Sequence, residues 1–475
     1  MRILLTGASG YIGGNLLEKL KENHEIIAIS RHADNKEDEE NVTWKEADLY
    51  SQIDIENVME DIDIAVYLVH SMQPSSKLSQ AKFADMDAIL ADNFAWAAKQ
   101  KGVKRIVYLS GIIPDDDTLS EHLASRLECE RILGAYGIPV TTLRAGLIVG
   151  PKGSSFPILH NLVKRLPGLL LPSWAYNRTH PVALKDVITG LTRVIERESS
   201  RNESIDIGGP EEKSYRQLFE ETAEVMGKKL PMIDVPIIPI TLSKLWVSLI
   251  AQKPKEMVYP LLESLTHNMV MRDENCVEGI SDAPTSFKDS VRIALDDEID
   301  SSTKKGIEII QKSDIEKNDV KSVQRIRIPK QWTIDDTADY YVNWLSRIGG
   351  KFISTRVKDK ETSIALPLFK SPILILEKSE ERSYEDRILY YIKGGKFSQT
   401  REDGRARLEL RRVPDTDEVL IAIHEYEPTL PWILYTVTQA KIHLLVMKAF
   451  GFETRLLANM LDSQYAKYVS NPNAE

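Results

Sequence analysis

Cysteine is nearly absent from this chain, which has two, Cys129 and Cys276, among 475 residues. Two thiols are too few for a disulfide framework or for a metal site built from thiolates. His424 and His443 have no third ligand at metal spacing, so we predict no metal site. A reducing, intracellular setting is therefore the expected one.

Clustered basic charge is also missing. The net charge is −10, the sequence pI is about 5.6, and no basic stripe stands out. This balance argues against nucleic acid as the main partner. The N-terminus MRILLTGASG has no apolar run after a basic start, so we expect no signal peptide and a cytoplasmic protein.

Long uncharged apolar runs are lacking as well. The most apolar candidates are residues 233–251 and 430–450. Two prolines interrupt the first, and the second carries Gln439, Lys441 and His443. Because a membrane span needs about 20 nearly uncharged residues, we predict that both segments pack against protein. Peripheral membrane contact by residues 430–450 stays open.

What the sequence does have, from residue 1 to about 145, is a regular alternation of short β-branched runs and longer amphipathic stretches such as residues 79–102. The predicted strands are RILLT (2–6), EIIAIS (25–30), VTWKE (42–46), IAVYLV (64–69), RIVYLS (105–110) and PVTTLR (139–144). This rhythm is typical of an α/β fold with a parallel sheet covered on both faces. Such a sheet offers a crevice at the carboxyl ends of its strands.

The remaining chain divides at a charge-rich stretch, residues 301–320, which is the best linker candidate. Before it we predict a strand at 205–210 and helices at 214–229, around 241–266 and at 286–295. After it, in residues 321–475, we predict antiparallel strands at 388–397, 405–413 and 418–427, and a helix from about 430 to 462. The tail is therefore expected to be a separate α+β domain.

The strongest motif is TGASGYIG (6–13), between the first predicted strand and the first predicted helix. Gly7 would permit the tight turn, Gly10 would let the backbone approach a pyrophosphate, and Gly13 would allow close helix–strand packing. The spacing is G-x-x-G-x-x-G. The residues predicted to hold a dinucleotide here are Gly7, Ala8, Ser9, Gly10, Tyr11, Ile12 and Gly13.

The end of the second strand should meet the adenosine ribose. An acidic residue there would bind a 2′-hydroxyl, whereas arginine accommodates a 2′-phosphate. The chain offers Ser30 and Arg31, so NADP(H) is favoured over NAD(H). Asp34 lies close by and keeps NAD(H) open.

Together, TGASGYIG, Arg31, KEADL and RIVYLSGI resemble the extended short-chain dehydrogenase/reductase superfamily, in particular its atypical NAD(P)-binding, epimerase-like branch. The likeness continues to DIGGP (206–210) and covers residues 1–300. It implies a Rossmann doubly wound sheet with a small substrate lobe, about 150–200 and 210–300. It also places four residues along the cofactor, Asp48 and Leu49 at the adenine and Val69 and His70 in the cleft.

The same resemblance indicates catalytic positions. Ser110 matches the serine that closes the fifth strand beside the nicotinamide, and twelve residues later the family has Tyr-x-x-x-Lys. Here those positions are His122 and Arg126, on one face of a helix. Histidine can act as a general acid, and Arg126 would still hold the ribose. Arg126 would, however, push the imidazole toward its neutral form.

Three functions stay open at this point. The first is reduction of a carbonyl, enone or quinone-type small molecule through His122. The second is an NADP(H)-binding sensor or accessory protein with little turnover, and the third is chemistry carried by other residues. His180, in RTHPV, is expected to be a structural hydrogen bonder.

The tail, through residues 382–397, 404–413 and 425–450, is similar to an uncharacterised C-terminal domain of the DUF2867 type, and its order of elements is similar to a helix-grip, lipid-transfer-type fold. Four side chains fall near one face of its last helix: Trp432, Tyr435, Gln439 and His443. Core packing is the default for such a stripe, and a cavity for an apolar ligand is the alternative.

Overall fold

The computed structural model of the chain describes residues 1–71, 78–252, 254–303, 320–350, 353–367, 369–399 and 405–470. The chain divides into two compact units. The first comprises Met1–Gln73 and Asp87–Ile309, and the second comprises Pro74–Met86 and Ile310–Glu475. Most of the predicted linker, residues 304–319, lies outside the described residues.

The first hundred residues follow the predicted alternation. Their elements are β1 (Arg2–Leu5), α1 (Tyr11–Leu20), β2 (Glu25–Ser30), β3 (Val42–Glu46), α2 (Gln52–Val58), β4 (Ile64–Tyr67), β5 (Leu78–Gln80) and α3 (Phe83–Gln100). The prediction of a helix over residues 79–102 is wrong at its first residues. Leu78–Gln80 form a strand instead, because they pair with a strand that begins at Val320.

The rest of the first unit is longer and less regular. Its elements are β6 (Arg105–Gly111), α4 (Glu121–Gly134), β7 (Val140–Ala145), β8 (Ile148–Val149), α5 (Ser155–Arg165), β9 (Leu169–Leu171), β10 (Arg178–Thr179), β11 (Val182–Ala183), α6 (Leu184–Glu196), β12 (Glu203–Ile207), β13 (Lys213–Ser214), α7 (Tyr215–Val225), β14 (Met232–Asp234), α8 (Ile240–Ala251), α9 (Lys255–Ser264) and α10 (Phe287–Thr303). The helical segment predicted over 241–266 is two helices, because Gln252 is left-handed (φ 53°) and Pro254 starts the second.

The described residues of this unit form a seven-stranded sheet in the order β12-β7-β6-β4-β1-β2-β3. Every neighbouring pair is parallel. The helices α1 and α6 pack on one face, and α3 reaches the other, where the rings of Phe94 and Tyr67 lie 5.0 Å apart. The predicted doubly wound fold is therefore confirmed. The strands β2 and β3 are added on one side of β1, and β4 and the later strands are added on the other side. This change in strand order between β1 and β4 places the crevice at their carboxyl ends.

A second hydrophobic core in this unit belongs to the expected lobe. It gathers side chains from α5, α7, α8, α9 and α10, among them Phe156, Tyr215, Val247, Leu262 and Phe287. Burial of these large apolar groups holds the lobe together, at roughly 1.5–3 kcal/mol per fully buried side chain.

The second unit contains β5 and the elements after residue 319. These are β15 (Val320–Arg327), α11 (Ile334–Gly349), β16 (Ser354–Lys358), β17 (Glu361–Ala365), β18 (Leu374–Lys378), β19 (Arg387–Gly394), β20 (Arg407–Arg412), β21 (Glu418–Tyr426), α12 (Trp432–Val437) and α13 (Gln439–Ser470). The helix predicted over 430–462 is interrupted at Thr438, whose backbone (φ −120°, ψ −83°) is not helical.

The strands of the second unit form a sheet in the order β16-β17-β18-β19-β20-β21-β15-β5 within the described residues. All neighbours are antiparallel except β15 and β5. One face of the sheet packs against α11 and α13, where the rings of Trp344 and Phe450 are 5.0 Å apart. The predicted α+β class of the tail is confirmed.

Among the described residues, no helix combines the length and the apolar content that crossing a membrane would require. Between α11 and the sheet of the second unit lies a cavity of about 10 Å³, lined by side chains such as Tyr341, Leu376 and Tyr390. This volume holds at most about one water molecule. Tyr435 of the predicted stripe is buried and packs 6.2 Å from Tyr426, ring to ring, as core packing predicts.

Candidate active site

The glycine-rich turn between β1 and α1 has the geometry that its sequence predicts. Gly7 is left-handed (φ 66°), a conformation that favours glycine, and a Cβ on it would lie 3.1 Å from the Leu68 carbonyl oxygen. A Cβ on Gly13 would overlap the Gly7 carbonyl oxygen. A Cβ on Gly10 would stand 3.0 Å from the same oxygen. The turn is therefore closed by backbone contacts that leave little room for side chains.

The first turn of α1 offers backbone donors to an anion. Gly10 is the N-cap and supplies no side-chain cap, and the Gly14 N–H donates to the Gly10 carbonyl at 2.8 Å. The amides of Tyr11, Ile12 and Gly13 precede that bond, where a helix has no carbonyl acceptor of its own. Together with the helix macrodipole they form a site for a phosphate group. Among their neighbours, Ser9 is exposed and Ala8 is buried.

The end of β2 carries the two residues predicted to meet the ribose. Arg31 is exposed, and the Ser30 hydroxyl accepts the His32 N–H at 3.3 Å. Asp34 is exposed as well. At the end of β3, the Asp48 carboxylate accepts the Tyr50 N–H at 3.0 Å. Leu49, between Asp48 and Tyr50 in the sequence, is 9% exposed.

Thr6 fixes the crevice between β1 and β4. Its hydroxyl donates to the Val66 carbonyl at 3.0 Å and accepts the Leu68 N–H at 2.8 Å. The next residues, Val69 and His70, are partly buried and follow the carboxyl end of β4. The predicted cofactor residues thus follow β1, β2, β3 and β4, except Arg126, which lies on α4.

A cluster of titratable side chains is formed by His70 after β4, Asp87 on α3, Tyr108 on β6, and His122 and Arg126 on α4. His70 Nδ1 is 2.5 Å from Asp87 Oδ2, and the rings of His70 and His122 are 5.4 Å apart. The Arg126 guanidinium donates to the Tyr108 hydroxyl at 3.2 Å. The structure thus brings together the two predicted catalytic residues on α4 and the predicted cleft residue His70.

Helix α4 presents His122 and Arg126 because of its local sequence. Ser120 caps the helix by accepting the Leu123 N–H at 3.4 Å, and Leu123 and Ile132 are buried beside the sheet. Ser110, on β6, is 7% exposed and shares a strand face with Tyr108 by the alternation of side chains.

Burial and charge keep the imidazoles of this cluster neutral. Burial lowers the pKa of His122 well below its usual value, and the Arg126 charge and His70 lower it further. Burial and Arg126 also lower the pKa of His70, despite the adjacent Asp87. Burial alone would raise the pKa of Asp87, but His70 and Arg126 hold it below its usual value. The charged groups of the cluster are therefore the Asp87 carboxylate and the Arg126 guanidinium.

The hydrogen-bond partners of the two histidines differ. The Ser264 hydroxyl lies 3.0 Å from His122 Nδ1, 3.1 Å from the Pro260 carbonyl oxygen and 3.3 Å from the Ser120 hydroxyl. Its single proton can go to any of these acceptors, so either neutral tautomer of His122 fits the contacts. Because Asp87 is ionised, His70 donates to it from Nδ1. In both neutral tautomers, one ring nitrogen of His122 carries a lone pair and accepts, and no imidazolium is present to act as a general acid.

Sequence reasoning missed Asp87, Tyr108 and Ser264. Asp87 is 1% exposed, but α3 also carries the acidic residues Asp85 and Asp92, so its sequence does not single out Asp87. Ser264 is 142 residues away from His122 and carries no local indication.

Two further features lie outside the cluster. His180 Nδ1 accepts the Met271 N–H at 3.0 Å, the structural role expected of it. A groove of about 410 Å³ is formed by α1, α6 and α10, with Tyr11, Lys185 and Ala294 among its lining residues. None of the predicted catalytic residues lines this groove. In the part of the chain that is described, no three His, Cys, Asp or Glu side chains are grouped as metal ligands.

Comparison with known proteins identifies the first part of the chain. Residues 7–157 match a family model described as NAD(P)H-binding. The match covers about a third of the chain and confirms the predicted NAD(P)-binding domain. The predicted resemblance of this domain to epimerase-like proteins is confirmed as well, since UDP-glucose epimerases are among its relatives. The similarity of the tail to an uncharacterised domain stays a prediction.

Proteins similar to this NAD(P)H-binding domain differ in their described roles. Auxiliary protein GraX of Staphylococcus aureus is 36% identical over 142 residues, which are 30% of this chain and 43% of that protein. The chain thus spans less than half of that relative. UDP-glucose 4-epimerase of Vibrio cholerae is 24% identical over 266 residues, 50% of this chain and 79% of that protein.

A solved structure has the same fold. A nucleoside-diphosphate-sugar epimerase from Staphylococcus aureus superimposes with a TM-score of 0.50 at 16% identity, over 62% of this chain and 100% of that one. At this identity the likeness concerns the fold alone.

Proposed function

We propose that the protein transfers hydride between NADP(H) and a small molecule with a carbonyl, enone or quinone group, at the cluster formed by His70, Asp87, Tyr108, His122 and Arg126. The observation that carries this proposal is the approach of the His122 and His70 rings to 5.4 Å after β4, with the Arg126 charge near enough to lower the pKa of His122. Perturbed titratable groups at such a crevice are typical of catalytic sites.

The proposed roles follow from the charge of each group. Arg126 is cationic and Ser110 is a hydroxyl donor, so both can polarise a substrate oxygen. His122, neutral and with a lone pair on one ring nitrogen, would accept the proton of an alcohol O–H while the adjacent C–H delivers hydride to NADP⁺. The products are the carbonyl compound, NADPH and protonated His122. At neutral pH, His122 is thus better suited to the oxidation step than to the reduction expected from the sequence.

The pH dependence of turnover tests the role of His122. We expect kcat/KM for alcohol oxidation to be level between pH 6.5 and 8 and to fall only in more acidic solution, because the pKa of His122 lies well below 6.5. The substitution His122→Ala should lower kcat/KM by about 100-fold or more. The measurement is the increase in absorbance of the reduced nicotinamide, at about 340 nm, with a panel of alcohols as substrates.

The matched control is His24→Ala, since His24 lies near the amino end of β2 and pairs with Glu196 at 3.4 Å, outside the cluster. Its kcat/KM should equal that of the parent protein. A rate that climbs steadily as the pH falls below 6.5 would assign His122 the acid role, and an unchanged rate in His122→Ala would remove it from the reaction.

A second candidate is an NADP(H)-binding sensor. It is favoured by one observation: the group at the position of the family's tyrosine has a pKa well below neutrality, so no protonated donor stands there at pH 7. Tight coenzyme binding without turnover of any alcohol, ketone, aldehyde or quinone would select this candidate over the enzyme.

The choice of coenzyme rests on Arg31, exposed at the end of β2. If its guanidinium binds a 2′-phosphate, Arg31→Ala should raise the dissociation constant of NADPH about tenfold or more and leave that of NADH unchanged. Calorimetric titration of both coenzymes measures this. The control is Lys36→Ala, an exposed cation that lies 5.3 Å from the Trp44 ring. Equal affinities for NADPH and NADH that Arg31→Ala leaves unaltered would contradict the preference.

A further inference from the structure

Helix α13 is apolar on two sides. One side belongs to the core of the second unit, with Met447, Phe450 and Ala458 at most 2% exposed. The other side carries Ile442, Leu445, Phe452, Leu456 and Met460, which are 50–68% exposed. A helix on the surface of a globular protein normally has one apolar stripe and a polar opposite face. The second apolar stripe is therefore not explained by packing in the core of the second unit.

The outer face of α13 is defined here by five exposed apolar side chains, Ile442, Leu445, Phe452, Leu456 and Met460. This stripe extends for about 27 Å at 1.5 Å per residue. Three more exposed apolar side chains, Ile433, Leu434 and Val437, precede it on the short helix α12. Apolar surfaces of this extent mark contacts with proteins or membranes.

A row of cations borders this face. Lys441, Lys448 and Arg455 follow one another at intervals of seven residues, which keeps them on one edge of the helix. All three are exposed, and none forms an ion pair with a carboxylate among the described residues. The two acidic residues of this part of α13 are paired with arginines, although the partner of Asp462, Arg327, also binds Asp417 at 2.7 Å. Glu453 pairs with an arginine of α11 at 2.5 Å, and Asp462 pairs with one of β15 at 3.0 Å.

We propose that this outer face docks on the surface of an anionic lipid bilayer. The apolar side chains would enter the boundary between headgroups and acyl chains, and Lys441, Lys448 and Arg455 would reach the phosphates. Long cationic side chains beside an apolar stripe suit this position, because their stems remain in contact with apolar material. The helix lies in the plane of the surface and does not cross it.

Charge complementarity favours lipid over a second copy of the chain. In a symmetric dimer the same face would meet itself, so its row of cations would meet no complementary row of carboxylates. Like charges across an interface oppose association. An anionic bilayer instead supplies opposite charge along the full length of the stripe, although the whole chain carries a net charge of −10.

Flotation of the full chain with vesicles tests the proposal. We expect binding to vesicles of equal parts phosphatidylglycerol and phosphatidylcholine, and at least about tenfold weaker binding to phosphatidylcholine alone or in high salt. The double variant Leu445→Glu/Phe452→Glu should lose binding. A second variant, Lys448→Gln/Arg455→Gln, should weaken binding about tenfold without changing an apolar side chain.

The matched control is Leu245→Glu/Leu249→Glu on α8, two leucines that are 53% and 70% exposed. It should bind vesicles as the parent protein does, and circular dichroism should show that all variants fold. Absence of vesicle binding by the parent protein would overturn the proposal, as would equal binding by Leu445→Glu/Phe452→Glu. A dimer that the same variant dissociates, with no vesicle binding, would assign the face to a second copy and overturn it too.

Discussion

Replacing Gly13 with valine is expected to abolish NAD(P)H binding. The new Cβ would overlap the Gly7 carbonyl oxygen, which belongs to the backbone and has little freedom to move. The first turn of α1 would be displaced, and its amides would no longer converge on a phosphate. We expect the dissociation constant of NADPH to rise at least about 100-fold, measured by calorimetric titration.

The neighbouring residue supplies the control. A Cβ on Gly14 would lie 3.5 Å from the Ala8 carbonyl oxygen, an ordinary contact. The substitution Gly14→Ala should therefore leave coenzyme affinity unchanged and stabilise α1 by about 0.5–1 kcal/mol, because alanine loses less backbone entropy. Equal affinities of Gly13→Val and Gly14→Ala for NADPH would contradict the role assigned to the turn.

The second unit should lose about 3 kcal/mol of stability when Glu409 becomes glutamine. Glu409 is 1% exposed and its carboxylate lies 2.8 Å from Arg387 and from His424, and 3.1 Å from Arg411. Glutamine keeps the size of the side chain but removes the negative charge between two buried guanidinium groups. Hydrogen exchange of the β19–β21 amides measures the change within this unit.

The loss should also depend on pH in a defined direction. Burial alone would raise the pKa of Glu409, but the neighbouring arginines hold this pKa well below its usual value near 4.5. A carboxyl whose pKa is lowered by folding stabilises the protein above its unfolded pKa, and this contribution fades as the pH falls. The difference between the parent protein and Glu409→Gln should thus be largest at neutral pH and shrink below about pH 4.5.

Glu418→Gln is the control for this prediction. Glu418 begins the neighbouring strand β21 and pairs with Arg325 at 2.7 Å, but its side chain is 35% exposed. Solvent weakens such a pair, so we expect a change of less than about 1 kcal/mol. Equal changes in hydrogen exchange for Glu409→Gln and Glu418→Gln would show that the buried charges around Glu409 do not stabilise the second unit as predicted.

Local patterns were sufficient to predict the sheet of the first unit and the face of α4. The six strands predicted before residue 145 are all present, since each is a short apolar run bounded by turn residues. His122 and Arg126 share a face because helical geometry alone places residues four apart together. Gly7 and Gly13 have the contacts predicted for them, because their motif depends on nearby backbone.

Features that depend on distant partners were not predicted. Leu78–Gln80 are a strand through pairing with residues 320–322, and Ser264 reaches His122 from another helix. The strand β16 was missed for a different reason. Most of its residues are exposed, so it has no alternation of apolar and polar side chains to indicate a strand.

Crystals of the protein soaked with NADPH would show whether the first turn of α1 binds the coenzyme diphosphate. We expect the diphosphate oxygens within hydrogen-bond distance of the amides of Tyr11, Ile12 and Gly13, with the nicotinamide ring facing His122 and Arg126. A coenzyme bound elsewhere, or a first turn of α1 without coenzyme at saturating NADPH and NADH, would show that the turn is not the coenzyme site.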